Sequence, residues 1–99
     1  MVFMNIYIFI DKVEFKIFKL ENNENREFIK NKIIIPKSFE MGDKLNYLRK
    51  FIITLINKYD VKKSNITVED AIGIDIIDIV KIEGVIEEVF SNCGVKICK

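Results

Sequence analysis

Asn65-Ile66-Thr67-Val68-Glu69 is the stretch on which the fold turns. Its β-branched middle reads as a strand. A long helical pattern precedes it, so the chain returns to the sheet through a crossover, and this strand is expected to run parallel to the first. That makes the sheet mixed.

Working backward, Leu45, Leu48, Phe51, Ile52, Leu55, Ile56 and Tyr59 recur at three- and four-residue steps, with Asp43 placed to cap the helix they define. Lys44, Arg49, Lys50, Asn57 and Lys58 fall on its other face, which ordinary solvation would explain. Before the helix, Phe28 to Ile35 is an apolar run ended by Pro36, and its Lys30 and Lys32 suit an edge strand that must discourage sticking. Glu21 to Arg26 reads as a polar turn. In the strand before it, Val13, Phe15 and Ile17 alternate with Glu14 and Lys16, then the phase slips to Phe18 and Leu20, which predicts a bulge. Val2 to Ile10 is apolar apart from Asn5 and predicts a central strand covered on both faces, joined to the next by a short turn at Asp11-Lys12.

Working forward, Ala71 to Phe90 carries two signals. Ile74-Asp75-Ile76 alternates like a strand, while Ile76, Ile79, Ile86, Val89 and Phe90 keep helical spacing. Length favours a helix from near Asp75 to Asn92–Gly94. Gly84 inside it costs about 1 kcal/mol relative to alanine, acceptable if the helix packs closely there. Val95 and Ile97 supply a last short strand. The expectation is one α/β (α+β) domain over residues 1–99, with a mixed five-stranded sheet in the order β-β-β-α-β-α-β.

Bulk properties agree with one soluble core. Of 99 residues, 49% are hydrophobic and 31% charged, too apolar for disorder. The apolar start lacks the basic flank of a signal peptide and is too short for a membrane span, so a cytoplasmic protein is expected. Heavy use of isoleucine, lysine and asparagine, with alanine only at Ala71, is a bias of AT-rich genomes and weakens propensity arguments. Cys93 and Cys98 are expected to be reduced, partly buried thiols. With no histidine, the usual general base and the Ser-His or Cys-His pairs are missing, and four dispersed glycines make no phosphate-cradling loop. The net charge of +1 hides polarity: 13 basic and 8 acidic residues through Lys63, then 3 basic and 7 acidic.

Three segments carry a family resemblance: Ile8-Phe9-Ile10-Asp11, a first strand leading to an acid; Ile66-Thr67-Val68-Glu69-Asp70, a fourth strand doing the same; and Lys81-Ile82-Glu83-Gly84-Val85-Ile86 with Gly94-Val95-Lys96-Ile97, a helix with a small residue leading into strand five. In this order the chain resembles the ribonuclease-H-like superfamily, in particular its RuvC-like resolvase branch and small bacterial and phage proteins of that fold. The resemblance implies catalytic acids at Asp11, Glu69 and Asp70. It also implies a magnesium site using Asp11 and Glu69, since a hard cation takes oxygen ligands and a two-metal phosphodiesterase needs several carboxylates, and Asp75 or Asp78, one helical turn apart, would add a third ligand. The plain alternatives are a turn aspartate at Asp11, a strand end at Glu69-Asp70, and helix-start acids at Asp75 and Asp78.

The family's last acids come from a helix after strand five, and this sequence ends at Lys99, which moves the expectation from cutting to binding. The first expectation is therefore a non-catalytic binding module without a cofactor, phage- or mobile-element-encoded, inhibiting a host defence nuclease. Glu69, Asp70, Asp75, Asp78, Glu83, Glu87 and Glu88 would meet the basic groove of that protein or nucleoprotein partner. One alternative is a magnesium-dependent nuclease completed by dimerisation. Another is a nucleic-acid binder through the basic helix and the third strand, with Lys44, Arg49, Lys50, Lys58, Lys62 and Lys63 as its contacts. A homodimer is also expected, because a small β-rich domain exposes a sheet edge.

Overall fold

Backbone pairing turns these patterns into seven elements. The computed structural model describes residues 1–21, 24–69 and 74–98, comprising β1 (Val2–Ile8), β2 (Lys12–Glu21), β3 (Glu24–Ile34), α1 (Met41–Tyr59), β4 (Lys63–Val68), α2 (Ile74–Asn92) and β5 (Lys96–Ile97). The sheet order is β3-β2-β1-β4-β5. β1 to β3 form an antiparallel meander, while β4 runs parallel to β1, from Phe3 opposite Lys63 to Ile8 opposite Val68, and β5 runs parallel to β4. The mixed α/β sheet and its element order are as the sequence predicts.

Both crossovers, β3 to β4 through α1 and β4 to β5 through α2, step the same way across the sheet. Sharing the usual right hand, they stack both helices on one face. There Met4, Ile6 and Ile8 of β1 and Val13, Phe15 and Ile17 of β2 meet Leu48, Ile52 and Ile56 of α1 and Ile79, Ile82, Ile86 and Phe90 of α2 in one buried cluster. The expectation that β1 is covered on both faces is thereby corrected. It is central, but Phe3, Asn5 and Tyr7 on its other face are only half-buried.

The pairing accounts for the phase slip in β2. The β2–β3 register does shift between Ile17 and Phe18, but the extra residue is Phe28 of β3, so the irregularity lies in the partner strand and not in β2, where the phase slip predicts it. β2 keeps unbroken register with β1 through Ile17 and Phe18, so Phe18 falls on the face opposite Ile17. β3 is the edge strand that its lysines suggest, yet it begins at Glu24, because Glu24, Asn25 and Arg26 pair with Glu21, Leu20 and Lys19. Backbone hydrogen bonding extends a hairpin without apolar side chains.

Helix ends differ in detail from the sequence pattern. Glu40 occupies the N-cap position of α1 without a side-chain hydrogen bond, and Asp43 lies in the first turn, where its charge suits the helix dipole. The ambiguity over residues 71–90 resolves as helix from Ile74 onward, and α2 closes at Gly94, whose φ of 72° is the left-handed conformation of a helix stop. Cys93 and Cys98 are free and exposed, not partly buried. No described helix is long and apolar enough to cross a membrane.

Candidate nucleic-acid interface

The acids come first, because parallel pairing of β1 and β4 brings their C-terminal ends to one edge of the sheet. Glu69 follows β4, is exposed, and its amide donates to the Ile8 carbonyl at 2.9 Å. Asp11 is exposed in the β1–β2 turn, which the Phe9 amide closes by donating to the Lys12 carbonyl at 3.0 Å. The Asp11 carbonyl accepts from the Ile35 amide at 3.1 Å, which ties this turn to the chain leaving β3. The two acids thus flank the end of β1, Asp11 on the β2–β3 side and Glu69 on the β4 side. Asp78 is half-buried on α2, while Asp70 and the side chain of Asp75 lie outside the described residues. Among the described residues no three acidic or thiol side chains are grouped to hold a metal ion. Of the four carboxylates that the resemblance implies for a metal, Asp11 and Glu69 are the ones described at this end of the sheet.

The expected basic face of α1 is divided. Arg49 spans to Glu88 of α2 at 3.7 Å and donates to Asn46 at 3.1 Å. Lys62 pairs with Asp60 at 3.0 Å, and Lys58 lies over the Tyr59 ring at 5.4 Å. Lys44 is half-buried and Lys50 exposed, the latter beside Tyr47 and Phe51, where Phe39, Tyr47 and Phe51 form a ladder of ring contacts at 5.8 and 6.2 Å. On the acidic side Glu83 and Glu87 are half-buried, and Glu88 is engaged by Arg49. Neither set forms one uninterrupted charged surface.

The sheet face away from the helices carries a larger excess of one charge. Register places Phe3, Asn5 and Tyr7 of β1 beside Lys63, Asn65 and Thr67 of β4 on one side, and beside Phe18, Lys16 and Glu14 of β2 on the other. Lys12 shares the β2 face, Glu27, Lys30 and Lys32 continue it on β3, and Lys96 adjoins Lys63 on β5. Six lysines therefore stand against two glutamates, and one of those, Glu14, is paired with Lys12 at 3.2 Å. A shallow groove between β2 and β3 is lined in part by Glu14, Lys16, Lys30 and Lys32. Phe3, Tyr7 and Phe18 are half-buried here, yet they are not among the half-buried apolar side chains packed on the core. The Lys16 ammonium lies 5.6 Å from the centre of the Tyr7 ring.

Of the basic candidates read from the sequence, Lys63 and the third-strand lysines Lys30 and Lys32 belong to this face. What the sequence reading missed is the set of aromatics. Their signal is the phase slip at Phe18 and the apolar parity of β1, patterns that a bulge and two-sided burial fit equally well.

The sheet order, the two crossovers and the one-sided helix layer define the class: a ribonuclease-H-like fold in its RuvC-like arrangement. The Thermus thermophilus RuvC structure in complex with a Holliday junction substrate superposes with a TM-score of 0.83 at 10% identity, over 98% of this chain and 63% of that one. A second Thermus thermophilus RuvC structure gives 0.79 at 12% identity, with 98% of this chain and 59% of that one covered. The Aquifex aeolicus PPX-GPPA enzyme gives 0.62 at 15% identity, over 98% of this chain and 34% of that one. The chain thus spans about three fifths of the RuvC chains it matches. No family model and no curated protein matches the sequence.

Proposed function

We propose that this chain is a non-catalytic nucleic-acid-binding module on a ribonuclease-H-like scaffold. The observation that carries the reading is the open sheet face, where six lysines face two glutamates on a surface no described element covers. Such an excess of positive charge releases counterions from a polyanion and supplies affinity without sequence preference. The neighbouring RuvC structure was solved with a Holliday junction, so this scaffold accommodates nucleic acid in at least one other protein.

Fluorescence anisotropy with labelled single-stranded, duplex and four-way-junction DNA, at low salt and in EDTA, tests the proposal. Binding without divalent ions is expected, and its absence for every form would refute it. Incubation of the same DNAs with magnesium or manganese addresses the nuclease alternative, whose support is the shared sheet edge of Asp11 and Glu69. Cleavage that disappears in Asp11→Asn and Glu69→Gln would replace the binding reading with a metal-dependent nuclease.

The inhibitor reading draws less from the molecule, because its acidic strip is interrupted by the Arg49–Glu88 pair and by half-burial of Glu83 and Glu87. Self-association has one supporting feature, the exposure of Ile76, Ile77 and Val80 on α2 at 44%, 56% and 56%.

A further inference from the structure

We infer that the ligand of the open sheet face is a single strand, whose unpaired bases stack on Phe3, Tyr7 and Phe18 while its phosphates follow the flanking lysines. This rests on the nucleic-acid reading above and adds the form of the ligand.

The placement of the three rings carries the argument. Phe3 and Phe18 are directly opposite across β1 and β2, and Tyr7 lies four residues further along β1 on the same face. At about 3.3 Å per residue that separates Phe3 from Tyr7 by roughly 13 Å along the strand. The rings are therefore spread over the sheet's middle strand and one neighbour and lie outside the core cluster. Burial does not explain them, since residues with that role alternate onto the opposite face.

Charge surrounds the rings on both sides. Lys16, Lys30 and Lys32 lie toward β3, and Lys63 and Lys96 toward β5, so a backbone crossing the sheet meets a cation on either flank. Asn5 and Asn65 sit side by side between the ring positions, and their amides can donate to and accept from base edges. Lys16 over Tyr7 makes a joint subsite: the ring takes a base, and the ammonium moves from the ring to the adjoining phosphate.

A duplex uses little of this arrangement. Its bases are stacked on one another and its outer surface offers phosphates, so the lysines would act and the aromatics would not. Aromatic side chains within a cationic surface fit splayed bases, because every base has a face to stack.

The experiment compares labelled oligo(dT), oligo(rU) and a mixed-sequence duplex by anisotropy in EDTA, for the natural chain, Tyr7→Leu, Phe18→Leu and the double variant. Leucine keeps an apolar side chain on the sheet, and thermal melts verify folding. Tighter binding of the single strands is expected. Each substitution should weaken them roughly tenfold, with little change for the duplex. A preference between dT and rU distinguishes a DNA from an RNA source for the same chemistry.

An independent readout needs no change at the rings. In a Tyr47→Phe, Tyr59→Phe background Tyr7 is the only tyrosine, and the chain has no tryptophan, so oligo(dT) binding should quench its emission. Duplex bound as tightly as single strands, single-strand affinity unchanged in the double variant, or binding without quenching would each overturn the stacking inference while leaving a polyanion-binding surface. No binding to any of the three nucleic acids would remove both readings.

Discussion

Ser64 lies on β4 opposite Met4, facing the helices, with 2% of its surface exposed and no hydrogen-bond partner for Oγ. A buried hydroxyl left unpaired is destabilising by about 1–3 kcal/mol. Ser64→Ala removes that hydroxyl with almost no change in volume, at some loss of strand propensity. The variant should match or exceed the natural chain by up to about 1 kcal/mol in urea unfolding, and a loss larger than that would mean the hydroxyl is bonded in solution. The same scale shows why the open face was illegible in the sequence. A phenylalanine after Phe15 and Ile17 looks like a continuation of the core whatever its parity, and only pairing with Phe3 shows Phe18 to be on the other side. Asp11, by contrast, is legible as a turn residue. It is exposed in the β1–β2 turn, as turn chemistry favours.

Among the elements, those with one strong signal were legible and those sharing two were not. α1 repeats a single apolar stripe, and Leu48, Ile52, Leu55 and Ile56 are its buried residues. β4 is a short β-branched run, and its position after a helix was enough to place it parallel to β1. α2 is apolar on more than one side, with Ile79, Ile82 and Ile86 inward and Ile76, Ile77 and Val80 outward, so no single stripe marked its buried face. Gly84 does not meet the condition of close packing that would offset its cost, since a Cβ built there meets nothing within 4 Å. Gly84→Ala should therefore raise stability by about 1 kcal/mol, the helix-interior difference between the two residues, visible as a higher midpoint in thermal or urea unfolding. A midpoint that falls instead, and falls more at higher protein concentration, would show that this face of α2 is closed against a second copy.

For the whole molecule, the two layers separate two basic surfaces that a sequence cannot tell apart. Lys12 and Lys16 of β2, Lys30 and Lys32 of β3, Lys63 of β4 and Lys96 of β5 lie on the open face of the sheet, whereas the lysines of α1 belong to the helix layer packed on its other face. The polarity counted along the chain, basic before Lys63 and acidic after, therefore maps only loosely onto space: Arg49 and Glu88 meet between the helices, and Lys96 joins the basic sheet face from the acidic half. Which surface meets a polyanion can be read from salt dependence, because each neutralised phosphate adds about −0.7 to the slope of log affinity against log salt for a single strand. Four contacts from Lys16, Lys30, Lys32 and Lys63 correspond to a slope of about −3. Lys30→Glu with Lys32→Glu should weaken binding and flatten that slope by about 1.4, as two lost contacts require. Both substitutions lie on an exposed edge strand, where charge is tolerated. Lys50→Glu with Lys58→Glu makes the same change in net charge on the helix layer, and it should leave the slope unaltered while lowering affinity only through long-range repulsion. A flattened slope in the second pair and an unchanged one in the first would move the interface to α1, beside its ladder of Phe39, Tyr47 and Phe51.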